Sequence, residues 1–497
     1  METCCGCGGR VGIVRLTMVE RRTIDIQSVF AVHPFAEALL RRLEGAGHRA
    51  VLIGGVVRDG LLVQLGRSVP FPPQDVDVAT SALPSEVRDI FSEVTIVGVG
   101  EEFGVLKAVA PDGQVYEVAT FRTEDEYDGR WPGRVDLVRD LDGDVHRRDL
   151  TINGLAATRE GEVIDLVGGI TDLEAGRIRA IGDPLKRFGE DYLRMLRAIR
   201  FACQVDGELD AETASAIASH ADRIKSISNE RVGEEFLRLL KTPQAARGLS
   251  LLDELGLLSH LLPELTICKG VPQPEEYHPE GDVFVHTLEA VRVADALVDD
   301  PIVKLAVVLH DIGKPDALVR SGGANMGGHC AVGARIVGDI GRRLRLSRAT
   351  IARVEYLVRH HMRIAAFPEM GRGKQVRFVS EGADPSGKTL RARYPLFFDL
   401  LQLLVVDCEA SAHRASGWAP ILRETLDVVE HIDLVCGLKR ARELISGHDL
   451  VGLGLRPGQQ LGEILDAIHD QILAGRIESR EEALEEAQRR IDQATAP

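Results

Sequence analysis

The chain has 497 residues, so it is too long for a single hydrophobic core and should divide into several domains. Its apolar fraction of 44% and charged fraction of 27% are those of an ordinary folded protein, and no uncharged apolar run is long enough to predict a membrane span. The formal net charge of -16 excludes binding of nucleic acid by general attraction, so any RNA contact must use local basic patches.

Residues 1–30 are predicted to form a disordered leader. Cys4, Cys5 and Cys7 could bind a metal, but no partner pair follows at the spacing of zinc ligands. The segment lacks the apolar core of a secretory signal, and we expect a cytoplasmic location. The remaining cysteines are scattered and do not suggest a disulfide framework. They are Cys203, Cys268, Cys330, Cys408 and Cys436.

A glycine turn follows the first predicted helix (31–46) and a short buried strand (51–53). Gly54-Gly55 predicts a turn at which the backbone approaches a ligand, and residues 56–59 predict the start of a helix. Amide groups at such a turn attract anions, and Arg58 adds a forked donor suited to phosphate. Gly-Gly turns after strands are also common as purely structural features, so the turn alone leaves both interpretations open.

Two carboxylates share one face of the next predicted strand. In Asp75-Val76-Asp77-Val78 the period of two places both aspartates on one side and both valines on the other. Adjacent carboxylates repel one another, so the pair indicates either a solvated strand face or a divalent-metal site. We favour the metal site, because an anion-binding turn beside paired carboxylates is what phosphoryl or nucleotidyl transfer to a hydroxyl requires. Glu117 is either a third carboxylate or an exposed strand acid.

The rest of this region predicts a small mixed α/β head. Strands are expected at 95–97, 105–110 and 115–119, together with a helix that begins at Pro84. The polar segment 124–144, rich in Gly, Asp and Arg, is predicted to be a mobile loop, and loops of this length are uncommon without a function.

A later helix, predicted from Glu190 to Gln204, carries charges at every third position. Asp191, Arg194, Arg197 and Arg200 form one face, which is compatible with a salt-bridged solvent surface. A sharper interpretation is base recognition. Cytosine and adenine both present an exocyclic amine beside a ring-nitrogen acceptor, so one aspartate and one arginine could accept both bases and reject uracil and guanine.

Four motifs in order carry a resemblance to a known family. GGVVRD, DVD, RRDLTIN and EDYLRMLRAIRF resemble the class II tRNA nucleotidyltransferases (CCA-adding enzymes) and the bacterial poly(A) polymerases that share their catalytic head. The resemblance covers nearly the whole chain from about residue 30. It implies template-independent addition of C, C and A to the tRNA 3′ end from CTP and ATP, with release of pyrophosphate and with Mg²⁺ as the cofactor of the head.

The resemblance also assigns residues. Asp75 and Asp77 are the implied catalytic metal ligands. Asp149 is an implied nucleotide-binding residue, but it could instead be only a helix cap for residues 150–157. The resemblance implies that Asp191 and Arg194 select the base. The implied nucleotide-binding residues are Gly55, Arg58, Arg148, Asp149, Asn153, Asp191, Arg194, Arg197 and Arg200.

A second candidate site follows a proline-rich break at 271–274. His310-Asp311 closes an apolar helix, with His286 upstream and Asp407 downstream. Two imidazoles and two carboxylates suit a divalent transition metal with open positions for water and phosphate. The set resembles the HD phosphohydrolase superfamily, which implies that these four residues are metal ligands. In related domains, phosphate-binding or second-metal groups fall at the positions of Lys314, His329 and either His360 or His361.

The predicted fold is a multidomain α+β protein, with a small mixed α/β nucleotidyltransferase head followed by an all-α neck, body, HD domain and tail. Helices within 228–262 either grip the tRNA acceptor stem or simply pack, and the HD site either hydrolyses phosphoesters or serves folding. Expected partners are tRNA, ATP and CTP, with no membrane. Alternatives are a poly(A) polymerase or partial CC- or A-adding enzyme, and an HD phosphohydrolase with an RNA-binding head. The predicted domains are the leader 1–30, head 31–165, neck and body 166–275, HD metal-binding domain 276–435 and tail 436–497.

Overall fold

The computed structural model divides the chain into two compact units, Met1–Asp183 and Pro184–Pro497. Among the residues described, no helix is long and apolar enough to cross a membrane. The predicted cysteine cluster of the leader and Cys436 lie outside the described residues. The described residues are 22–98, 100–128, 131–276, 278–279, 281–411, 417–430 and 440–495.

The first unit is built on a mixed sheet. Its strands are β1 (Ala50–Ile53), β2 (Asp77–Thr80), β3 (Thr95–Val97), β4 (Val105–Val109), β5 (Val115–Thr120), β6 (Arg122–Asp128), β7 (Trp131–Leu137), β8 (Ala156–Ala157), β9 (Val163–Ile164) and β10 (Arg177–Ile178). Seven strands form one sheet in the order β3-β4-β5-β2-β1-β8-β9. Strands β2 and β5 are parallel, whereas the other neighbouring pairs are antiparallel. The strands predicted from alternation at 95–97, 105–110 and 115–119 correspond to β3, β4 and β5.

The helices of this unit differ from prediction at its start. They are α1 (Ile26–Val32), α2 (Pro34–Gly45), α3 (Gly55–Gln64), α4 (Pro84–Ile90), α5 (Leu141–His146) and α6 (Gly169–Glu174). The helix predicted over 31–46 corresponds to α2, but it begins three residues later than predicted, because Pro34 cannot continue a helix from the preceding turn and instead begins a new one. Residues 26–30, which were assigned to the leader, form part of α1, in which Ile26, Val29 and Phe30 are buried.

The segment predicted to be a mobile loop, 124–144, contains regular structure. Strands β6 and β7 pair as an antiparallel hairpin, and α5 follows. Glu124 on β6 accepts hydrogen bonds from Arg122 at 2.6 Å and from Arg147 at 3.2 Å. The loop prediction failed because polar strands lack the apolar alternation by which strands are recognised. Ion pairs of the charged side chains accompany the pairing of these two strands.

The second unit is almost entirely helical. Its helices are α7 (Pro184–Glu190), α8 (Leu193–Gln204), α9 (Ala211–Ser219), α10 (Asn229–Leu240), α11 (Ala245–Glu254), α12 (Leu258–Leu261), α13 (Pro263–Thr266), α14 (Val283–Leu297), α15 (Pro301–Leu309), α16 (Lys314–Arg320), α17 (His329–Arg343), α18 (Arg348–His360), α19 (Arg372–Val379), α20 (Leu390–Arg393), α21 (Pro395–Ala410), α22 (Ala419–Glu430), α23 (Gly447–Gly452), α24 (Gln459–Leu473) and α25 (Arg480–Thr495). A short strand, β11, covers Glu208–Leu209.

Two features of this unit bear on the predicted domains. The helix predicted from Glu190 to Gln204 is divided between α7, which ends at Glu190, and α8, which begins at Leu193. Between them, the carboxylate of Asp191 accepts a hydrogen bond from the backbone N–H of Leu193 at 3.1 Å. The last helices share a hydrophobic cluster of their own, which includes Ile468 on α24 and Ala487 on α25. The predicted division of this unit into neck and body, HD domain and tail stays a prediction.

Candidate active site and metal centre

The glycine turn lies between a buried strand and a helix, as its sequence predicts. Strand β1 ends at Ile53 and helix α3 begins at Gly55. Gly54 has φ of +78°, a conformation that side chains disfavour. A Cβ atom at Gly54 would lie 3.7 Å from Nη1 of Arg148. The guanidinium of Arg148 therefore lies beside the turn, and it is the positive φ rather than a lack of space that favours glycine at this position.

Three carboxylates lie on one face of the sheet beside this turn. Asp75 and Asp77 are exposed, whereas Val76 and Val78 are buried, which is the alternation that the sequence predicts. In the parallel pairing of β2 with β5, Asp77 lies directly opposite Glu117. Residues paired in a sheet have side chains on the same face, so Glu117 is placed beside Asp77. Its role as a third ligand stays a prediction.

Electrostatic repulsion is strongest at Asp77. Loss of hydration within the site and the negative charge of Glu117 raise the pKa of Asp77 to about 6, with a smaller contribution from Asp75 and opposition from Arg148. A divalent cation would relieve this repulsion, because it favours the ionised form of every carboxylate around it. The carboxylates of the head therefore fit a divalent metal.

Helix α5 positions Arg148. Leu141 and Val145 of this helix pack in a cluster with Val51 of β1. Asp144 is fully buried and accepts hydrogen bonds from Arg147 at 2.7 Å and from Arg148 at 3.1 Å. Burial alone would raise the pKa of Asp144, but the two arginines hold it below its ordinary value.

Sequence reasoning missed Asp144. Its spacing of three and four residues before Arg147 and Arg148 is the spacing of neighbours on a helical turn, and this signal could have identified it. We interpret Asp144 as a positioning residue, because it fixes the direction of Arg148, which lies beside Gly54.

A buried network joins three other predicted nucleotide-binding residues. Arg58 donates to the side-chain oxygen of Asn153 at 2.8 Å and to Asp59 at 2.8 Å. The Asn153 amide donates to Asp149 at 3.2 Å, and Asp149 also accepts the N–H of Leu150 at 2.8 Å. This network ties α3 to the segment after α5 and orders the glycine turn. A role of these residues in nucleotide binding stays a prediction.

The helix predicted over residues 150–157 is wrong. Thr151–Asn153 form a short 3₁₀ turn, and strand β8 follows it. Asp149 therefore caps no α-helix, and its carboxylate instead binds the neighbouring amides.

In the second unit, the predicted base-reading pair is held by further charged residues. Arg231, in the first turn of α10, donates two hydrogen bonds to Asp191, at 3.2 and 2.6 Å. Glu190 accepts from Arg194 at 2.6 Å and from Arg187 at 2.7 Å. A bidentate arginine fixes both the position and the plane of a carboxylate. Arg231 was not singled out from sequence because its partner is 40 residues away. Glu190 was also missed, although its spacing of three and four residues from Arg187 and Arg194 is a signal that could have identified it.

Arg197 and Arg200 lie further along α8. Both guanidinium groups stack on Phe201, with distances to the ring centroid of 5.3 Å for Arg197 and 4.0 Å for Arg200. Arg200 is buried and donates to Glu235, which is also buried, and to Gln204. This position favours a packing role for Arg200, and its predicted contact with nucleotide stays a prediction.

The histidines and aspartates predicted for the second site come together in this unit. Nε2 of His286 lies 3.1 Å from Oδ1 of Asp407, and Nε2 of His310 lies 3.7 Å from the same oxygen. Among the described residues, two groups of three potential ligands have all ligand atoms within 4.8 Å of one another. One is His286, His310 and Asp407, and the other is His329, Cys330 and His361.

Asp311 lies between the two groups. Its Oδ2 is 3.2 Å from Nε2 of His310 and 2.5 Å from Nζ of Lys314. Its Oδ1 is 3.5 Å from Nε2 of His329 and 3.7 Å from Nε2 of His361. Each oxygen therefore faces a different group. His361, rather than its neighbour His360, is the residue that joins the cluster.

The histidine orientations fit metal binding. In three rings Nδ1 is within hydrogen-bond distance of the backbone carbonyl three residues earlier. The pairs are His310 with Val307 (2.7 Å), His329 with Met326 (3.0 Å) and His361 with Val358 (2.7 Å). A carbonyl only accepts, so Nδ1 carries the proton and Nε2 of each neutral ring presents its lone pair to the cluster. Nε2 of His310 is buried and has no hydrogen-bond partner among the described residues.

The charges within the cluster depend on one another. Burial alone would lower the pKa of His310, but Asp311 and Asp407 raise it to about 9. Burial alone would raise the pKa of Asp407, but its hydrogen bond with His286 and the charge of His310 hold it below its ordinary value. Burial and the charge of His310 lower the pKa of His361 to about 4. Asp311 and Asp407 thus keep His310 protonated in the absence of metal, and a divalent cation bound by the cluster would take the place of that proton.

A cavity of about 520 Å³ opens onto this cluster. Asp311, Lys314, His329 and Asp407 form its polar side. The apolar side includes Pro272, Leu318, Met326 and Met362. The cavity is large enough for a small phosphorylated molecule or the end of a chain.

Comparison with known proteins finds related domains along the chain. Four family models match the chain: “Poly A polymerase head domain” over residues 50–179, “Probable RNA and SrmB- binding site of polymerase A” over residues 208–268, “HD domain” over residues 283–393 and “tRNA nucleotidyltransferase domain 2 putative” over residues 424–487.

Similar proteins include two curated CCA-adding enzymes. The enzyme of Latilactobacillus sakei subsp. sakei (strain 23K) is 43% identical over 260 residues, which cover 50% of this chain and 63% of that protein. The enzyme of Geobacillus sp. (strain WCH70) is 45% identical over 231 residues, which cover 46% of this chain and 55% of that protein. The aligned part of the chain thus spans less than two thirds of the length of these relatives.

A solved structure extends the similarity. The Bacillus stearothermophilus CCA-adding enzyme in complex with CTP is 28% identical, with a TM-score of 0.62, and the match covers 93% of this chain and 99% of that chain. The nucleotidyltransferase and HD families generally use divalent metals, in keeping with both sites. Residues 50–179 therefore match the model of the poly A polymerase head domain, within a chain that is similar along most of its length to a CCA-adding enzyme of known structure.

Proposed function

We propose that the protein is a template-independent tRNA nucleotidyltransferase, which adds C, C and A to the tRNA 3′ end from CTP and ATP and releases pyrophosphate. The observation that carries this proposal is the register of β2 and β5, which pairs Asp77 with Glu117 on the face that also bears Asp75. The glycine turn and Arg148 lie beside these carboxylates. The similarity to CCA-adding enzymes supports the identity of the substrates.

In this proposal the metal of the head is Mg²⁺, held by Asp75 and Asp77. Such an ion neutralises phosphate charge and lowers the pKa of an attacking hydroxyl. The exposed carboxylates at the beginning of β2 suit Mg²⁺, which keeps several waters and uses one or two carboxylates. The amide groups of the glycine turn, together with Arg148, hold the triphosphate and orient it for in-line attack by the tRNA 3′-hydroxyl.

Asp191 and Arg194 select the base in this proposal. Asp191 accepts a hydrogen bond from the exocyclic amine of cytosine or adenine, and Arg194 donates to the adjacent ring nitrogen. Discrimination against uracil and guanine requires a fixed carboxylate, since a rotating one could avoid their oxygen atoms. The two hydrogen bonds from Arg231 supply this constraint.

Replacing Arg231 with methionine should reduce selectivity more than rate. We expect incorporation of U or G relative to C or A to increase by about 10- to 100-fold, the range that loss of hydrogen bonds to a charged group predicts. The measurement is single-turnover incorporation of each nucleotide on a truncated tRNA. Arg238→Met, an exposed arginine on the same helix, is the matched control. Unchanged selectivity in R231M would contradict a positioning role.

The proposed function is tested by sequencing the 3′ ends made from tRNA that lacks its terminal CCA, with all four nucleotides present. We expect products that end in CCA and no further growth. Asp75→Ala/Asp77→Ala should give no extension, with retained folding checked by circular dichroism. Failure of the wild type to extend the tRNA, or extension by the double variant, would overturn the proposal.

The runner-up activity is a poly(A) polymerase or a partial CC- or A-adding enzyme. Product length distinguishes these enzymes. A poly(A) polymerase makes long tails with ATP alone, whereas a CCA-adding enzyme requires CTP before ATP and stops after one adenosine.

A second activity is proposed for the histidine cluster, namely metal-dependent hydrolysis of phosphoesters. The supporting observation is the cavity that reaches Asp311, Lys314 and Asp407 beside the first ligand group. We expect phosphatase activity with Ni²⁺ or Co²⁺ that survives Asp77→Asn and is lost in Asp407→Asn. Loss of both activities in D77N alone would contradict separate sites.

A further inference from the structure

Exposed arginines cover one side of the helical hairpin formed by α17 and α18. The chain has a net charge of -16, yet residues 335–377 contain eleven basic and three acidic residues. A chain this acidic needs such a local excess of positive charge to hold nucleic acid. We propose that five of these arginines bind the phosphate backbone of an RNA substrate, whose identity as tRNA rests on the proposed function. They form the arginine strip, which consists of Arg335, Arg342, Arg345, Arg348 and Arg359.

Helical periodicity places the strip in two rows. On α17, Arg335 and Arg342 are seven residues apart, which is about two turns. On α18, Arg348 and Arg359 are eleven residues apart, which is about three turns. Side chains separated by whole turns lie on the same face of a helix, and all four arginines are exposed. Each helix therefore presents one row of positive charge to solvent.

The two rows lie side by side. Gly338 falls between the arginines of α17, and Glu355 falls between those of α18. A Cβ atom at Gly338 would collide with Oε1 of Glu355 and would lie 3.3 Å from Nη1 of Arg342. The glycine therefore lets the two faces meet, so that both rows can contact one ligand. The helices carry two acidic residues, Asp339 and Glu355, so the five arginines leave an excess of positive charge.

The guanidinium groups of the strip are available to a ligand. Within the part of the chain that the structure describes, three of them form no hydrogen bond or ion pair, namely those of Arg345, Arg348 and Arg359. Arg342 donates to Asp339 at 2.6 Å, and Arg335 lies 3.9 Å from Asp316. Exposed ion pairs of this kind contribute little to stability and can be exchanged for a phosphate.

Arg345 occupies a backbone position that glycine normally fills. It follows Leu344, the C-cap of α17, and its φ is +56°. Among the described residues, Asp206 is the only other non-glycine residue with positive φ. Side chains disfavour this left-handed conformation, so an arginine here costs stability that no ion pair of its own repays. This observation supports a role for Arg345 in binding rather than in folding.

The length of the strip indicates a chain of phosphates rather than a small anion. At 1.5 Å per residue, Arg348 and Arg359 are about 16 Å apart along α18, so a single phosphate group cannot contact both. An RNA backbone repeats its charge along its length and can do so. The strip also leads to the metal cluster, because α17 begins with His329 and His361 directly follows α18. An RNA strand that follows the strip is therefore directed towards the cavity.

The inference is tested by fluorescence anisotropy of a labelled tRNA transcript with the full-length protein, without nucleotide and over a range of salt concentrations. We expect Arg345→Gly/Arg348→Gln to weaken binding about 10- to 30-fold at 0.1 M salt. The slope of the logarithm of affinity against the logarithm of salt should fall by about two, or one for each lost phosphate contact. Arg292→Gln, which removes an exposed arginine of α14 paired with Glu289, should change neither quantity.

Arg345→Gly alone separates binding from folding. Because glycine accepts the left-handed conformation, the midpoint of thermal unfolding should equal or exceed that of the wild type, while affinity for tRNA falls about fivefold. An unchanged affinity and salt slope in R345G/R348Q, or equal weakening in R292Q, would overturn the inference. The assay needs no catalysis, so weaker binding by R345G/R348Q of a protein that adds no nucleotide would support the strip and overturn only the proposed function.

Discussion

Replacing Asp77 with asparagine should abolish nucleotide addition and, at the same time, stabilise the metal-free protein at pH 8. The loss of activity is expected to reach about 1,000-fold, which corresponds to about 4 kcal/mol of transition-state stabilisation. The gain in stability follows from the pKa of Asp77, which the site raises from 3.8 to about 6. Ionisation of this carboxylate beside Glu117 therefore costs free energy in the folded state that it does not cost in the unfolded chain.

The sign of the pH dependence is fixed by the direction of this shift. A group whose pKa is raised on folding contributes its stability at low pH and loses it as pH rises through the folded value. We expect Asp77→Asn to raise the midpoint of thermal unfolding in EDTA at pH 8 and to have a smaller effect at pH 5. The gain should be about 1 kcal/mol, because the exposed carboxylate is partly screened by water.

The matched control is Asp112→Asn, an exposed carboxylate in the turn before β5. It should change neither activity nor the pH dependence of stability. Excess Mg²⁺ should stabilise the wild type and not D77N. An equal shift of the unfolding midpoint in D77N at both pH values would show that repulsion at Asp77 is absent.

The largest effect on stability is expected at the ion pair between Arg200 and Glu235. Both residues are buried, and Arg200 also stacks on Phe201. Replacing Glu235 with leucine leaves a buried guanidinium with its principal counter-charge removed, and we expect a loss of about 3–5 kcal/mol in the free energy of unfolding. The double variant Arg200→Met/Glu235→Leu should recover most of this loss, because two apolar side chains of similar volume need no partner.

This experiment also decides between the two interpretations of Arg200. If its role is packing, the double variant should bind CTP and ATP with a KM close to that of the wild type. If it contacts nucleotide, the double variant will fold normally but show a raised KM. Denaturant unfolding and steady-state kinetics on the same preparations separate the two outcomes.

The sequence predicted the parts of the head in which local chemistry determines structure. The glycine turn lies between strand and helix because Gly54 adopts a conformation that other residues avoid. The alternation from Asp75 to Val78 was enough to predict which side chains are exposed and which are buried, without knowing the strands that flank β2. The pairing of Asp77 with Glu117 could not be derived in this way, because strand register depends on which strand lies alongside.

The features that could not be predicted involve partners distant in the sequence. The polar sequence of β6 and β7 predicts a loop, because the ion pair of Glu124 with Arg147, which lies beyond the hairpin, is not visible in the local pattern. Arg231 was not singled out because it holds Asp191 from a different helix. Cys330 looked like one of several scattered cysteines until the fold brought His361 next to it. The role of a charged residue or a cysteine depends on which residues the fold places beside it, whereas the spacing of apolar residues indicates the secondary structure of the segment that contains them.

The hydrogen bonds from Nδ1 of three histidines to main-chain carbonyls affect which substitutions around the metal cluster the protein can tolerate. The ring directions at His310 and His361 are set by carbonyls of the helices that precede them, and that at His329 by the carbonyl of Met326 in the loop before α17, so main-chain groups rather than side chains orient all three. Residues around the cavity can then be exchanged to suit a different ligand while the cluster keeps its shape. A laboratory selection for altered substrate preference should therefore yield tolerated substitutions among the residues that line the cavity.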